Sequence, residues 1–250
     1  MEFGPDLIDI GGRRLNAMVR GEGPLLVLEG GGMMPGTMYG PRLVPVLAKF
    51  ATVLSYDRAG LGASDPPAGP RTVSDMADDL LALLDALKLD GKAVLVGYSL
   101  SALIMQVFAA RHPARVAGLV LFDPTPSDSF EERIGVEPPP PPNLDALAAN
   151  PKMQAAVKYE LLRMRESCEE ARAAEPGLPK VPASIIVAGK RDEASMAKYA
   201  DILEQRHQRL ADLISNGQKI VAPNSQHATI FSSDPQIAIA AIRDVVARAS

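Results

Sequence analysis

Residues 93–106 have the sequence AVLVGYSLSALIMQ, and their pattern changes from strand to helix within a few positions. The first four residues are continuously apolar, which is typical of a strand buried on both faces of a parallel sheet. The apolar run after Ser101 has the composition of a buried helix. This pattern predicts that Ser99 lies on the tight turn between a strand and a helix.

A serine at such a turn has two interpretations. In a nucleophile elbow, a strained backbone pushes the hydroxyl out above the sheet, and the residues two before and two after it must be small. Gly97 meets that demand fully and Ser101 meets it partly. The following helix N-terminus would also offer N–H groups to a developing oxyanion. The alternative is an ordinary turn with a serine as helix N-cap, and the pentapeptide alone does not separate the two.

Strands and helices alternate along the chain. Helical periodicity is present at 73–87, where Thr72 is the expected N-cap with Asp75 three residues on, and again at about 100–111, 194–214 and 234–248. Segments 7–10 and 15–20 flank two glycines and predict an antiparallel hairpin at a sheet edge. Apolar runs of strand length recur at 25–29, 52–56, 93–97, 117–122, 184–188 and 219–222. This order predicts an open α/β sheet with right-handed crossovers.

The interval from 125 to 180 interrupts this alternation. It contains the proline run 138–142, which favours polyproline II, and a helical stretch at about 144–174. We expect residues 125–180 to form a helical cap. The cap would be inserted into one core domain made of residues 1–124 and 181–250.

Composition excludes several classes of function. The 250 residues include 26 basic and 30 acidic side chains, for a formal charge of −4, whereas a nucleic-acid binder would carry a basic surface. Cys168 is the only cysteine, which excludes an internal disulfide and a thiolate metal cluster. Charges in the first 20 residues leave no apolar signal core. We therefore expect a cytoplasmic protein that has no membrane span and needs no metal or organic cofactor.

Two glycine-containing loops follow strands. The loop Glu29-Gly30-Gly31-Gly32 can bring a backbone N–H toward the same oxyanion, or it can be a flexible turn. The loop at 57–64 superficially resembles a dinucleotide motif, but prolines at 66 and 67 forbid the helix that would face a pyrophosphate. We interpret this second loop as structural.

Taken together, these segments resemble the α/β-hydrolase superfamily. The residues that carry the resemblance are LLVLEGGG, SYDRAGLGASDPP, VLVGYSLSALIMQVFAARHP, VAGLVLFDP, SIIVAGKRDE and PNSQHATIFSSDPQ, in the family's order. The resemblance implies a mostly parallel eight-stranded α/β sheet with flanking helices. It also implies an active site at the carboxyl edge of the strands, beneath the cap.

The resemblance further implies a Ser-His-Asp triad. Ser99 matches the nucleophile, and His227, in the loop before the last helix, matches the general base. Asp192 follows the strand SIIVA and gives the chain order Ser, Asp, His of this fold. Asp123, at the end of GLVLF, is the alternative acid, at a place that some members use.

The implied oxyanion donors are the N–H groups of Leu100 and Gly31. We interpret the other two histidines as residues without a catalytic role. His207 lies in a charged helical segment, where we expect it to be solvated. His112 precedes a proline, where we expect it to cap a helix.

Two residues depart from the family pattern. Glu29 occupies a place where many members have histidine, and an ionised carboxylate beside the oxyanion loop would oppose a negative intermediate. We therefore expect Glu29 to pair with Arg58. Ser101 replaces the second glycine of the elbow, and it would either tighten the elbow or place an extra hydroxyl near the nucleophile.

Substrate identity is weakly encoded. Met33, Met34 and Met38 follow the oxyanion loop and either line an apolar pocket or pack in the core. We expect a mainly apolar small-molecule substrate, a carboxylic ester, lactone or thioester, cleaved through an acyl-enzyme at Ser99. The alternatives are a non-hydrolytic enzyme on the same fold (a lyase, a cyclase or a cofactor-free peroxidase type) and a ligand-binding receptor. The sequence leaves open whether two copies of the chain form a homodimer.

Overall fold

The sheet contains eight strands in the part of the chain that the computed structural model describes, residues 3–129, 150–190, 200–214 and 216–249. The strands are β1 (Phe3–Asp9), β2 (Arg14–Arg20), β3 (Leu25–Glu29), β4 (Thr52–Tyr56), β5 (Ala93–Tyr98), β6 (Val116–Phe122), β7 (Pro182–Ala188) and β8 (Asn216–Ala222). Their order is β1-β2-β4-β3-β5-β6-β7-β8. Among these described strands, only the two pairs that involve β2 are antiparallel. The mostly parallel eight-stranded sheet and its edge hairpin are therefore confirmed.

The helices fall between the strands, as the periodicity predicts. They are α1 (Val44–Leu47), α2 (Val73–Ala86), α3 (Ser101–Arg111), α4 (Pro151–Leu162), α5 (Met164–Ala174), α6 (Ala200–Leu213), α7 (Ile230–Ser233) and α8 (Pro235–Ala249). The predicted N-cap interaction of α2 is present, since the Thr72 N–H donates to the Asp75 carboxylate at 2.8 Å. The predicted helical residues 194–199 lie outside the described residues. None of the described helices combines the length and apolarity that a bilayer crossing needs.

The core has two layers, one on each face of the sheet. Successive side chains of a strand point to opposite faces. In β5, Leu95 packs in the layer formed with α2 and α3, whereas Val94 and Val96 pack in the layer formed with α1 and α8. Because helices cover both faces, the central strands are apolar at every position instead of every second one.

The described part of the segment between β6 and β7 contains two helices that pack differently. The predicted helical stretch breaks at Arg163, which separates α4 from α5. Cys168 and Ala171 of α5 belong to the core layer of α2 and α3. In contrast, Ala156 of α4 packs in a small separate cluster with Leu61, over the loop after β4. Residues 130–149, which include the proline run, lie outside the described residues.

Candidate active site

Ser99 lies on a strained turn between β5 and α3. It has a φ of 54°, a value that residues with a side chain rarely adopt. The N-cap of α3 is Leu100, and no side chain among the described residues caps this helix. The serine is therefore not an N-cap, and the elbow interpretation describes the geometry.

The backbone of the elbow is held from both sides. The Ser99 N–H donates to the carbonyl of Phe122 at 2.9 Å, and the Ser99 carbonyl accepts from the N–H of Thr125 at 3.2 Å. A Cβ atom on Gly97 would lie 2.9 Å from the Cα of Ala102. Since real Cβ contacts are not that short, only glycine lets the strand and the helix approach this closely. These contacts make the strained φ of Ser99 the conformation that the surrounding structure requires.

Three side chains form a continuous chain of hydrogen bonds. The Oγ of Ser99 lies 3.0 Å from the Nε2 of His227. The Nδ1 of His227 lies 2.6 Å from the Oδ2 of Asp123. The other carboxylate oxygen of Asp123 accepts from the N–H of Ala188 at 3.1 Å. Asp123 is buried, the His227 ring is half exposed and Ser99 is partly buried, so the chain of hydrogen bonds runs outward from the interior.

The carboxylate on His227 is the alternative acid of the sequence analysis. Asp192, the acid that the sequence analysis preferred, lies outside the described residues. The sheet explains why Asp123 reaches the site, because β5 and β6 are parallel neighbours with Tyr98 opposite Phe122. Ser99 and Asp123 therefore leave their strands at the same level of the sheet. Asp123 also has a positive φ, 38°, which marks a second strained turn.

The loop that carries His227 is fixed at two points. The Tyr98 ring stacks on the imidazole with centroids 5.0 Å apart, and its hydroxyl donates to the His227 carbonyl at 2.6 Å. Asp234 accepts from the Ser225 hydroxyl and from the N–H of Asn224. The hydrogen bonds from Ser225 and Asn224 lower the pKa of the Asp234 carboxyl. The imidazole thus sits on a loop held by an aromatic ring and an ionised carboxylate.

The two expected oxyanion donors lie beside the elbow. The N–H of Leu100 lies at the N-cap of α3, where helix geometry supplies no acceptor. Gly31 passes so close to the elbow that a Cβ there would lie 2.8 Å from the Tyr98 ring. The loop then turns back through Met33, whose φ is 66°, and closes with a hydrogen bond from the Met34 N–H to the Gly31 carbonyl.

The predicted pair between Glu29 and Arg58 is present, and it has a third member. An Oε1 of Glu29 lies 3.3 Å from Arg58 Nη1, and Glu160 of α4 lies 3.0 Å from Arg58 Nε. All three side chains are buried. Burial raises the pKa of Glu29 to about 7, although Arg58 opposes this shift. Burial also disfavours the charge on Arg58, but Glu160 and Glu29 raise its pKa above the usual range.

Ser101 tightens the elbow. Its buried hydroxyl accepts from the Tyr98 N–H at 2.7 Å. The same oxygen lies 3.2 Å from the carbonyl of Glu29 and 3.1 Å from that of Tyr98. These contacts are with the backbone of the elbow and of the strand before the oxyanion loop. Of the two expectations for Ser101, the tightening role describes the structure.

The three methionines lie in different surroundings. Met33 packs against the small cluster that contains Leu61 and Val157, beneath α4. Met34 packs against the core layer of α1 and α8. The Met38 side chain is 46% exposed. Of the three, only Met33 faces the helix that covers this part of the molecule.

The expectation that His207 is solvated is wrong. His207 is 2% exposed, and its Nε2 lies 2.9 Å from the carbonyl of Pro124. Its neighbour Gln208 is exposed, whereas Arg206 is also largely buried and pairs with Asp128, in the same segment after β6 as Pro124. Sequence neighbours therefore did not report the environment of this ring. His112 is the C-cap of α3, as expected.

The family model of the alpha/beta hydrolase fold matches residues 23–173 of this chain. The matched stretch is more than half of the sequence and includes the elbow and the loop that carries Arg58. The chain therefore belongs to the α/β hydrolase family.

Individual relatives are similar over part or all of the chain. A 2-(acetamidomethylene)succinate hydrolase of Mesorhizobium japonicum is 34% identical over 133 residues, which are 51% of this chain and 47% of that protein. An enol-lactonase of Burkholderia xenovorans aligns over 97% of this chain and 100% of its own, with a TM-score of 0.73 and 21% identity. A thermophilic esterase of Thermogutta terrifontis aligns over 100% and 99%, with a TM-score of 0.75 and 21% identity. At such identities the two solved structures show the fold alone.

Proposed function

We propose that the chain is a serine hydrolase that cleaves a carboxylic ester, lactone or thioester of a mainly apolar small molecule. The observation that carries this proposal is the unbroken series of contacts from the Ser99 hydroxyl through His227 to Asp123. A serine hydroxyl is a weak nucleophile unless a base accepts its proton during attack. The imidazole of His227 is within hydrogen-bond distance of that proton, which is the first geometric requirement for a general base.

The reaction would proceed in two halves. In the first, Ser99 Oγ attacks the substrate carbonyl carbon while its proton passes to His227 Nε2. The tetrahedral intermediate then collapses, the bond to the leaving group breaks, and His227 returns the proton to the leaving oxygen or sulfur. In the second half, a water molecule attacks the acyl-enzyme with His227 again as base, which releases the acid and restores Ser99. In each half His227 gives up again the proton that it accepts, so the enzyme gains and loses no net proton.

We assign the role of the acid to Asp123. Its Oδ2 would hold the Nδ1–H tautomer of His227 and stabilise the imidazolium that forms during each attack. The bond from the Ala188 N–H to the other oxygen keeps the carboxylate oriented. Asp192 keeps no role in this proposal, since Asp123 already lies on the only imidazole nitrogen that faces away from Ser99.

The tetrahedral oxyanion would be bound by the N–H groups of Leu100 and Gly31. The first lies at the positive end of α3, and the second lies on the loop packed against Tyr98. Removing one donor of this kind raises a barrier by about 3 kcal/mol in other enzymes.

The cap is part of the proposal. Residues 125–180 would form the cap over a core of 1–124 and 181–250, with α5 docked on the core and α4 extending over the loop after β4. Met33 would contribute an apolar wall, since it lies between the oxyanion loop and α4. The name of the relative that is 34% identical over 133 residues, a 2-(acetamidomethylene)succinate hydrolase, supports hydrolysis over the lyase, cyclase, peroxidase and receptor alternatives.

The test is covalent labelling followed by turnover. A fluorophosphonate probe should react with the purified protein at one residue, which peptide mass spectrometry should identify as Ser99. A panel of short-chain aryl esters, lactones and thioesters should be hydrolysed, and the variant Ser99→Ala should lose a factor of about 10⁴ or more in kcat. Its unfolding temperature should be close to that of the wild type, because only a partly exposed hydroxyl is removed. Labelling elsewhere, or labelling without turnover of any substrate in the panel, would contradict hydrolysis.

A further inference from the structure

Arg58 holds the backbone of the oxyanion loop directly. Its Nη1 donates to the carbonyl of Gly30 at 2.6 Å, and its Nη2 donates to the carbonyl of Gly31 at 2.9 Å. The guanidinium is 4% exposed, so water does not compete for these contacts. Charge-assisted hydrogen bonds of this kind are about twice as strong as neutral ones.

Each of these two carbonyls shares a peptide unit with an N–H group that points in the opposite direction. The Gly30 carbonyl shares a planar peptide with the N–H of Gly31, and the Gly31 carbonyl shares one with the N–H of Gly32. In a trans peptide the C=O and the N–H point in opposite directions. A guanidinium that holds both carbonyls therefore sets the direction of both N–H groups. It also polarises the amides, which makes each N–H a stronger donor.

The loop needs such an anchor. Its consecutive glycines have the largest backbone freedom of any residue, so an unanchored loop would populate many orientations. An oxyanion donor helps catalysis only if it is already aimed before the charge develops. In the described residues, the turn from the Met34 N–H back to the Gly31 carbonyl adds one further restraint from within the loop.

The anchor is itself held by the cap. Glu160 of α4 faces Arg58 with both carboxylate oxygens, Oε1 at 3.0 Å from Nε and Oε2 at 3.3 Å from Nη2. This two-point contact orients the plane of the guanidinium. The remaining edge of the guanidinium is directed at the loop carbonyls and at Glu29. The position of α4 is thereby coupled to the orientation of the loop.

We infer that Arg58 is a positioning residue for the oxyanion donors, and that Glu160 holds it in place from the cap. This inference rests on the proposed function, because positioning has meaning only if the loop binds an oxyanion. Arg58 touches neither Ser99 nor His227 in the structure, so its effect would pass through the loop backbone.

The buried cluster of Glu29, Arg58 and Glu160 should also make catalysis depend on pH, because its net charge changes when Glu29 ionises. The groups that face Glu29 are Arg58, Tyr56, Glu160 and the buried hydroxyl of Tyr39, and burial brings the pKa of Glu29 to about 7. Below that pH the neutral Glu29 leaves the Arg58–Glu160 pair without net charge. Above it the cluster carries one negative charge beside the loop, which opposes a forming oxyanion. The kcat of the wild type should therefore fall at alkaline pH with a midpoint near 7, and Glu29→Gln should lack that fall.

The test compares variants of the cluster with a matched cap control. Arg58→Lys keeps the charge but loses the planar fork, and Glu160→Gln loses one of the two acceptors. Both should lower kcat and the rate of fluorophosphonate labelling by roughly 10- to 100-fold with little change in KM, less than deleting one oxyanion donor outright. The control is Lys152→Met, because Lys152 also joins α4 to the core but donates to the carbonyls of Gly62 and Ser64, not to the oxyanion loop.

The outcomes separate the inference from the proposed function. A wild type that neither labels nor turns over the ester panel overturns the function itself. A wild type that does both, with Glu160→Gln and Lys152→Met equal in kcat and in labelling rate, overturns the positioning role alone. Circular dichroism and thermal unfolding of each variant identify a folding failure. Should Arg58→Lys not fold, the conservative Glu160→Gln and the pH profile of Glu29→Gln still decide the question.

Discussion

In the proposed mechanism the elbow and the oxyanion loop meet at the same carbonyl-binding position, and in the structure different forces hold them. The elbow is held by neutral backbone hydrogen bonds and by the close approach of strand and helix around Gly97. The oxyanion loop is held by a buried guanidinium between two carboxylates, one of which lies 102 residues away in the sequence. The geometry of the elbow should therefore be insensitive to pH, and that of the loop should respond to it. Local backbone strain and distant buried charge are two separate ways to preorganise one site.

The largest effect should come from the acid. Asp123→Asn keeps the shape of the side chain but presents the wrong partner to His227, so we expect kcat to fall by about 10⁴ with the fold intact. The measurement is kcat on the best ester of the panel, and the matched control is Asp192→Asn. If Asp192→Asn produces the large loss and Asp123→Asn does not, the assignment of the acid is reversed.

The prediction for the oxyanion loop is tested by measuring how the free energy of unfolding changes with pH. The pKa of Glu29 rises from its ordinary value of 4.5 to about 7 in the folded chain, so the folded state binds this proton more tightly than the unfolded state. Its stabilising contribution is then complete below pH 4.5 and is lost as the pH rises through 7. The loss should be about 3 kcal/mol in the free energy of unfolding, and Glu29→Gln should remove it.

Denaturant unfolding at about pH 5 and about pH 8, on either side of the raised pKa, measures this difference. The control is Glu166→Gln, which changes an exposed carboxylate paired with Arg163 on the surface of the cap. We expect the control to follow the wild type at both pH values. Parallel pH profiles for wild type and Glu29→Gln would show that the buried cluster does not titrate in this range.

A substitution in the elbow, which is held by neutral hydrogen bonds, should have the smallest effect on kcat and on stability. Ser101→Ala removes the acceptor of the buried Tyr98 N–H, which should destabilise the fold by about 1–3 kcal/mol. We expect kcat to fall by less than about 10-fold, because the packing around Gly97 still holds the elbow. The loss of stability should be the same at the acidic and the alkaline pH, unlike that of Glu29. Ser232→Ala, which removes an exposed hydroxyl bond to the Thr229 carbonyl, should change neither quantity.

Much of the fold could be predicted because its signals are local. The apolar runs place the central strands within two or three residues of their observed ends, and the pair Thr72 and Asp75 marks the start of α2. The pairing of Glu29 with Arg58 was also predictable, because each residue follows one of two strands that are adjacent in this fold.

Three features of the site could not be predicted in the same way. Chain order alone does not choose the acid, since both Asp123 and Asp192 lie between Ser99 and His227. The burial of His207 depends on which face of α6 meets the segment after β6, and the charged and polar residues beside it in the sequence give no sign of this contact. Glu160 lies in α4, whose sequence carries no sign of its partner.

The sequence by itself determined the alternating elements and the position of the turn at Ser99, because strand apolarity and helix periodicity act over a few positions. The structure was needed to show that this turn is strained and that Ser99 is not the N-cap of α3. Only the tertiary structure decided which carboxylate reaches His227 and that Glu160 joins Glu29 on Arg58. Those choices follow from the register of β5 against β6 and from the docking of α4. Both bring together residues whose separation along the chain carries no information about their distance in space.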